Sequence, residues 1–314
     1  MILSPPFFPL LPKKPIITHN DLDGILSFLF LKEKGFNLVG FYDLETFYLT
    51  KEISPHQVLA VDLDISHPLI ASIGHHYTLF SSKNHWNMNH LFGVTSPLVF
   101  KEEKHFCNMP HFSSKTPVST FLFLHYITNT PLPIPLFKRA MLLYADGLHQ
   151  SFKSYPKNVT KWLTALGYTD LLEDLETERL VPYFQEIVEF VSQYGFKATK
   201  KKPYPQCKFN PKDTENLLPF LEELAYRLDY KPIFTLPEVT PRLKGYRYSF
   251  YMDQETYKAL KEKFNAWELL SHGVVFRNHI EVTLLTPLQE EKDSTLITRL
   301  KHSPWSSFEI LKSA

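Results

Sequence analysis

The chain has 314 residues, is 44% hydrophobic and 21% charged, and carries a formal net charge of +1. That composition excludes a disordered or low-complexity protein and leaves room for two domains of ordinary size. Near-neutral charge also excludes a uniformly basic surface, so a nucleic-acid ligand would need a local basic groove to neutralise its phosphates.

Met1 to Leu11 is apolar, but prolines break it before Lys13 and Lys14. It has neither a basic start nor a continuous apolar core, and no apolar run elsewhere reaches spanning length. Cys107 and Cys207 are far apart and fit no zinc spacing. Together these features lead to the expectation of a cytoplasmic protein with no membrane partner and no disulfide framework.

The first strand is expected at Pro15 to His19 (PIITH), ending abruptly at Asn20-Asp21-Leu22-Asp23-Gly24. Ile25 to Lys34 reads as a helix apolar on almost every face, closed by Gly35. Further strands are expected at Asn37 to Tyr42, Gln57 to Asp62 and Leu69 to His75. Short apolar strands alternating with helices predict an α/β unit with a mostly parallel sheet and helices on both faces. Pro117 to Ile127, Pro135 to Tyr144, Lys161 to Gly167 and Pro182 to Gly195 read as helices.

The stretch 197–212 (KATKKKPYPQCKFNPK) is basic, proline-containing and without apolar period, and reads as a linker. Beyond it, Asp213 to Asp229 has the pattern of an amphipathic helix and Tyr246 to Met252 alternates as a strand does. Asp253 can cap a helix running to about Leu270, and His279 to Leu285 is a last strand. The expected organisation is therefore a first domain over 1–196, a basic linker over 197–212 and a smaller α+β domain over 213–314.

Chemistry concentrates at the carboxyl ends of the first strands, where open α/β sheets bind their ligands. His19, Asp21 and Asp23 follow the first strand, Asp62 the third, and His75 and His76 the fourth. Gathered on one edge, these carboxylates repel one another unless protons or cations neutralise them. Several carboxylates with two or three imidazoles suit a pair of Mn²⁺ or Mg²⁺ ions. Two ions roughly 3.5–4 Å apart can clamp a phosphate and generate a hydroxide nucleophile. Taken singly, Asp-Leu-Asp-Gly has a plainer use: acidic residues cap helices and glycine turns chains.

Thr18-His19-Asn20-Asp21-Leu22-Asp23-Gly24 resembles the first motif of DHH-family phosphoesterases, the group that contains RecJ exonucleases and small-oligonucleotide phosphodiesterases. Val61-Asp62 is similar to the second motif, Gly74-His75-His76 to the third and Asp146-Gly147 to the fourth, in family order over roughly residues 14 to 150. The resemblance implies that His19 and Asp21 hold one metal ion and that Asp23, His75 and Asp146 hold the other, with Asp62 bridging the two. It implies that His76 contacts the scissile phosphate or the leaving group, and that the water shared at Asp62 is the nucleophile. Lys200, Lys201 and Lys202 in the basic stretch are candidate contacts to a nucleic-acid backbone.

Three features depart from the family pattern. Gly74 stands where the family has an aspartate, the segment from Asp62 to Gly74 is short, and the C-terminal part lacks a GGGH-like signature. The expected function is hydrolysis of phosphodiester bonds in single-stranded nucleic acid or short oligonucleotides with two Mn²⁺ (or Mg²⁺) ions. The alternatives are a cyclic-dinucleotide or small-nucleotide phosphodiesterase, and a nucleotide- or protein-binding member of the fold that has lost its chemistry.

Overall fold

The computed structural model describes residues 13–63, 65, 67–74, 117–196, 209, 214–233, 235–251, 259, 269–276, 279–285 and 288. Its main sheet begins with β1 (Ile16–His19), β2 (Leu38–Tyr42), β3 (Thr46–Leu49), β4 (Leu59–Val61) and β5 (Ala71–Ile73), with α1 (Leu22–Glu33) between β1 and β2. Among the described residues the helices that follow are α2 (Thr120–Ile127), α3 (Leu136–Tyr144), α4 (Leu148–Ser154), α5 (Pro156–Leu166), α6 (Thr169–Glu176), α7 (Val181–Gln193) and α8 (Thr214–Arg227). The chain then forms β6 (Thr240–Lys244), β7 (Tyr246–Tyr251), β8 (Leu269–Phe276) and β9 (His279–Leu284).

The strands of the larger sheet lie in the order β5-β4-β1-β2-β3-β6. β1 runs parallel to β2 and β4, and β4 parallel to β5, as the alternation of strands and helices led one to expect. β3 and β6 extend the sheet antiparallel beyond β2. β7, β9 and β8 form a separate antiparallel sheet.

Successive residues of a strand face opposite sides of its sheet, and the core divides accordingly. Ile16, Phe41, Leu59, Val61, Ala71 and Ile73 pack in one cluster with the buried faces of the helices. Ile17, Tyr42, Phe47, Leu49 and Ala60 pack on the other side with Val58, Leu63, Ile65 and Ile70. α1 is the most enclosed helix: every residue from Leu22 to Leu31 is buried, which explains why its sequence is apolar on nearly all faces.

Residues beyond 213, expected to begin a separate domain, contribute to this same unit. Leu217, Phe220, Leu221, Leu224 and Ala225 of α8 belong to the helical core cluster, and Phe220 stacks on Phe190 of α7 at 5.3 Å. β6 pairs with β3 from Thr46↔Lys244 to Leu49↔Thr240. Phe209, inside the stretch read as a linker, is buried and meets the Phe41 ring edge-on at 5.1 Å. The apolar side chains of α8 bury against the first unit because that is where uncovered apolar surface lies.

The helix expected from Asp253 lies mostly outside the described residues, and Leu269 and Leu270, expected at its end, open β8 instead. Among the described residues no helix is long and apolar enough to cross a membrane.

Candidate metal centre

Sheet register brings the first site residues together. Thr18 is level with Val61, and Val61 with Ile73, so the next residues of the three parallel strands, His19, Asp62 and Gly74, emerge side by side at the carboxyl edge. Asp21 follows as the N-cap of α1. Its Oδ1 accepts the Gly24 N–H at 3.1 Å, and an anion there is favoured by the helix dipole.

Gly24 is required by a close approach. A Cβ at this position would lie 2.4 Å from the His19 carbonyl oxygen and 2.7 Å from Thr18 Oγ1. Only glycine lets the first turn of α1 sit against the end of β1 and so holds Asp21 beside His19.

The other carboxylate oxygen of Asp21, Oδ2, lies 2.8 Å from His19 Nδ1, and Asp62 Oδ2 lies 3.7 Å from the same nitrogen. Asp62 has a left-handed backbone, φ 58°, a conformation that aspartate tolerates better than most residues. Its side chain is 6% exposed. The ligand atoms of His19, Asp21 and Asp62 all lie within 4.8 Å of one another.

One imidazole, the buried carboxylate of Asp62 and the partly exposed carboxylate of Asp21 are chemically suited to a hard or borderline divalent cation such as Mn²⁺ or Mg²⁺. The donor set fits: two like charges that repel one another converge on the ring nitrogen whose proton would otherwise bridge them.

The remaining expected residues stand elsewhere. Asp23 is buried at 2% exposure and faces the start of α2. Its Oδ2 accepts the Thr120 N–H at 2.8 Å and its Oδ1 the Phe121 N–H at 2.9 Å, so both oxygens serve amides that α2 leaves without helical partners. Asp146 is exposed in the turn between α3 and α4 and does not join the three-residue cluster. His75, His76, Lys200, Lys201 and Lys202 lie outside the described residues.

Two residues that the sequence did not single out shape this edge. Asn20, between His19 and Asp21, donates its Nδ2–H to the Phe209 carbonyl at 2.8 Å, and the Phe209 N–H donates to the Asn20 carbonyl at 3.1 Å. This paired contact braces the motif loop from behind. Thr120 donates its hydroxyl to Asp62 Oδ1 at 2.8 Å. The local signal for Thr120 was a Ser-Thr pair opening a helix, which reads as a cap and nothing more.

No protein-family model, curated protein or solved structure matches this chain.

Proposed function

We propose that this protein is a cytoplasmic, metal-dependent phosphodiesterase acting on single-stranded nucleic acid or short oligonucleotides. The observation that carries this reading is the convergence of His19, Asp21 and Asp62 at the carboxyl edge of a mostly parallel sheet. The order of motifs resembling those of DHH phosphoesterases gives the reaction class.

In this reading His19, Asp21 and Asp62 hold a Mn²⁺ ion, and the resemblance implies that His75 would belong to a second. A bound ion of this kind supplies a hydroxide nucleophile at neutral pH and neutralises charge on the phosphate. Asp21 is fixed for the task by its place on α1, since its second oxygen is occupied by the Gly24 amide. Asp21 Oδ2, 2.8 Å from Nδ1, orients the His19 ring. His76 would contact the phosphate or the leaving oxygen, and Lys200, Lys201 and Lys202 the strand. Catalysis is then in-line attack stabilised by electrostatics, without a covalent enzyme intermediate.

One observation favours a second reading, a nucleotide-binding protein without turnover. Asp23, an expected ligand of the second ion, is committed to the amides of α2.

Hydrolysis of a labelled single-stranded oligonucleotide by metal-stripped protein separates the two. Release of mononucleotides on adding Mn²⁺, absent in Asp62→Ala, is the expected result. Turnover that is unchanged in Asp62→Ala would overturn the site assignment. Nucleotide binding without turnover of linear or cyclic substrates would establish the binding protein.

A further inference from the structure

Asp62 projects from a left-handed residue at a strand end, so its backbone alone does not dictate how the carboxylate turns. Oδ1 is taken by the Thr120 hydroxyl at 2.8 Å, which leaves Oδ2 as the oxygen directed towards His19. Thr120 is wholly buried and is the first residue of α2. Its backbone N–H is bonded to Asp23, the neighbouring Phe121 N–H to the other oxygen of Asp23, and the Leu122 N–H to Ser119 Oγ. The first turn of α2 is thereby bolted to α1 through Asp23, and the Thr120 hydroxyl extends from that fixed turn to Asp62.

We infer that Thr120 is a positioning residue of the metal centre, holding one oxygen of the Asp62 carboxylate so that the other faces the cation. This rests on the metal reading of His19, Asp21 and Asp62. A carboxylate rotates about its last torsion with little resistance, so the plane of Asp62 depends on what bonds its oxygens. A hydroxyl donor from a rigid helix start restricts that rotation and keeps the second oxygen turned towards the ion. The binding of a metal ion depends on such outer partners by about 10–100-fold in affinity. Asp23, which family resemblance casts as a ligand, acts in this arrangement through α2 by fixing Thr120.

The test is Mn²⁺ affinity of the full-length, metal-stripped protein, read from the electron paramagnetic resonance signal of free Mn²⁺, with a thermal melt of each variant. Thr120→Val keeps the side-chain volume and the backbone N–H but removes the hydroxyl, and weakens Mn²⁺ binding by about 10–100-fold. Thr120→Ser keeps the hydroxyl and restores most of that affinity. Ser119→Ala removes a cap from the same helix turn without touching Asp62, so it lowers the melting temperature and leaves Mn²⁺ affinity at the wild-type value.

Wild-type affinity in Thr120→Val would overturn the inference and leave the metal site standing. Equal loss of affinity in Ser119→Ala and Thr120→Val, with no rescue by serine, would also overturn it, because the effect would then belong to the helix. Absence of Mn²⁺ binding in the wild type would remove the metal reading and the inference with it. Should Thr120→Val fail to fold, Thr120→Ala takes its place against the serine variant.

Discussion

Asp62 beyond β4 and Asp174 on α6 are both carboxylates withdrawn from solvent, with side chains 6% and 0% exposed. Their surroundings differ in sign. Asp174 lies between two guanidinium groups, with Arg139 Nε 2.6 Å from Oδ2 and Arg179 on Oδ1. Near Asp62 lie the Asp21 carboxylate and the His19 imidazole, and the neutral Thr120 hydroxyl donates to its Oδ1. Asp174 meets two cations, whereas among the described residues Asp62 shares the His19 ring nitrogen with a second carboxylate. Burial alone therefore does not separate a structural carboxylate from a candidate metal ligand; the neighbouring groups do.

The largest expected effects come from exchanging the fates of these two residues. Asp62→Ala removes Mn²⁺-dependent hydrolysis while thermal melting shows the fold intact. Asp174→Ala leaves Mn²⁺ affinity as it was but strands Arg139, whose side chain is 12% exposed, and costs about 3–5 kcal/mol in denaturant unfolding. Unfolding of the Asp62 variant, or loss of Mn²⁺ from the Asp174 variant, would break the contrast.

A third solution to burial is to shed the charge. His125 packs between Phe30 at 4.6 Å and Phe121 at 5.2 Å, and burial pushes its pKa down to about 4. His149 stacks on Tyr144 and Phe184, and burial likewise lowers it to about 4. Both pKa values are depressed in the fold, so as pH falls below about 6.5 the unfolded chain takes up protons that the native state refuses. Stability is fully present above that pH and is lost down to about pH 4, by up to about 3 kcal/mol for each ring. Unfolding free energies measured at pH 7.5, 6 and 5 should fall accordingly, and His125→Phe should remove one share of the slope.

The smallest effect sharpens the geometry of the site itself. Gly24→Ala places a Cβ against the His19 carbonyl, and overpacking of this kind costs about 1–3 kcal/mol. Because the displaced turn carries Asp21, Mn²⁺ affinity should fall together with the melting temperature. A variant that loses stability but binds Mn²⁺ as before would show that Asp21 is not held by this contact.

The carboxyl edge was legible in the sequence because β1 is an apolar run that stops at a cluster of polar residues, and parallel register then places His19 beside Asp62. What Asp23 does was not legible. Its partners lie 97 and 98 residues away, and nothing near it in sequence signals a helix start that needs its oxygens. Thr120 was hidden for the same reason, since its hydroxyl works across 58 residues.

The edge strand β6 escaped notice because its residues, Thr-Pro-Arg-Leu-Lys, have polar or half-exposed side chains on both faces and include a proline, which an edge strand tolerates. Its identity comes from pairing with β3, and pairing leaves no periodic trace in so exposed a segment. The boundary near 197–212 was drawn from composition, which registers neither Phe209 under the motif loop nor α8 in the core.

The partnership of β3 and β6 also imposes a timetable on the growing chain. Arg242 of β6 bonds the carbonyl of Lys51, just beyond β3, across 191 residues. At about 5–20 residues per second, a ribosome takes roughly 10–40 s to make that intervening chain. For that interval Thr46–Leu49 leaves the ribosome with an unpaired strand edge, a template for wrong partners. A stalled chain is therefore expected to aggregate first through these four residues.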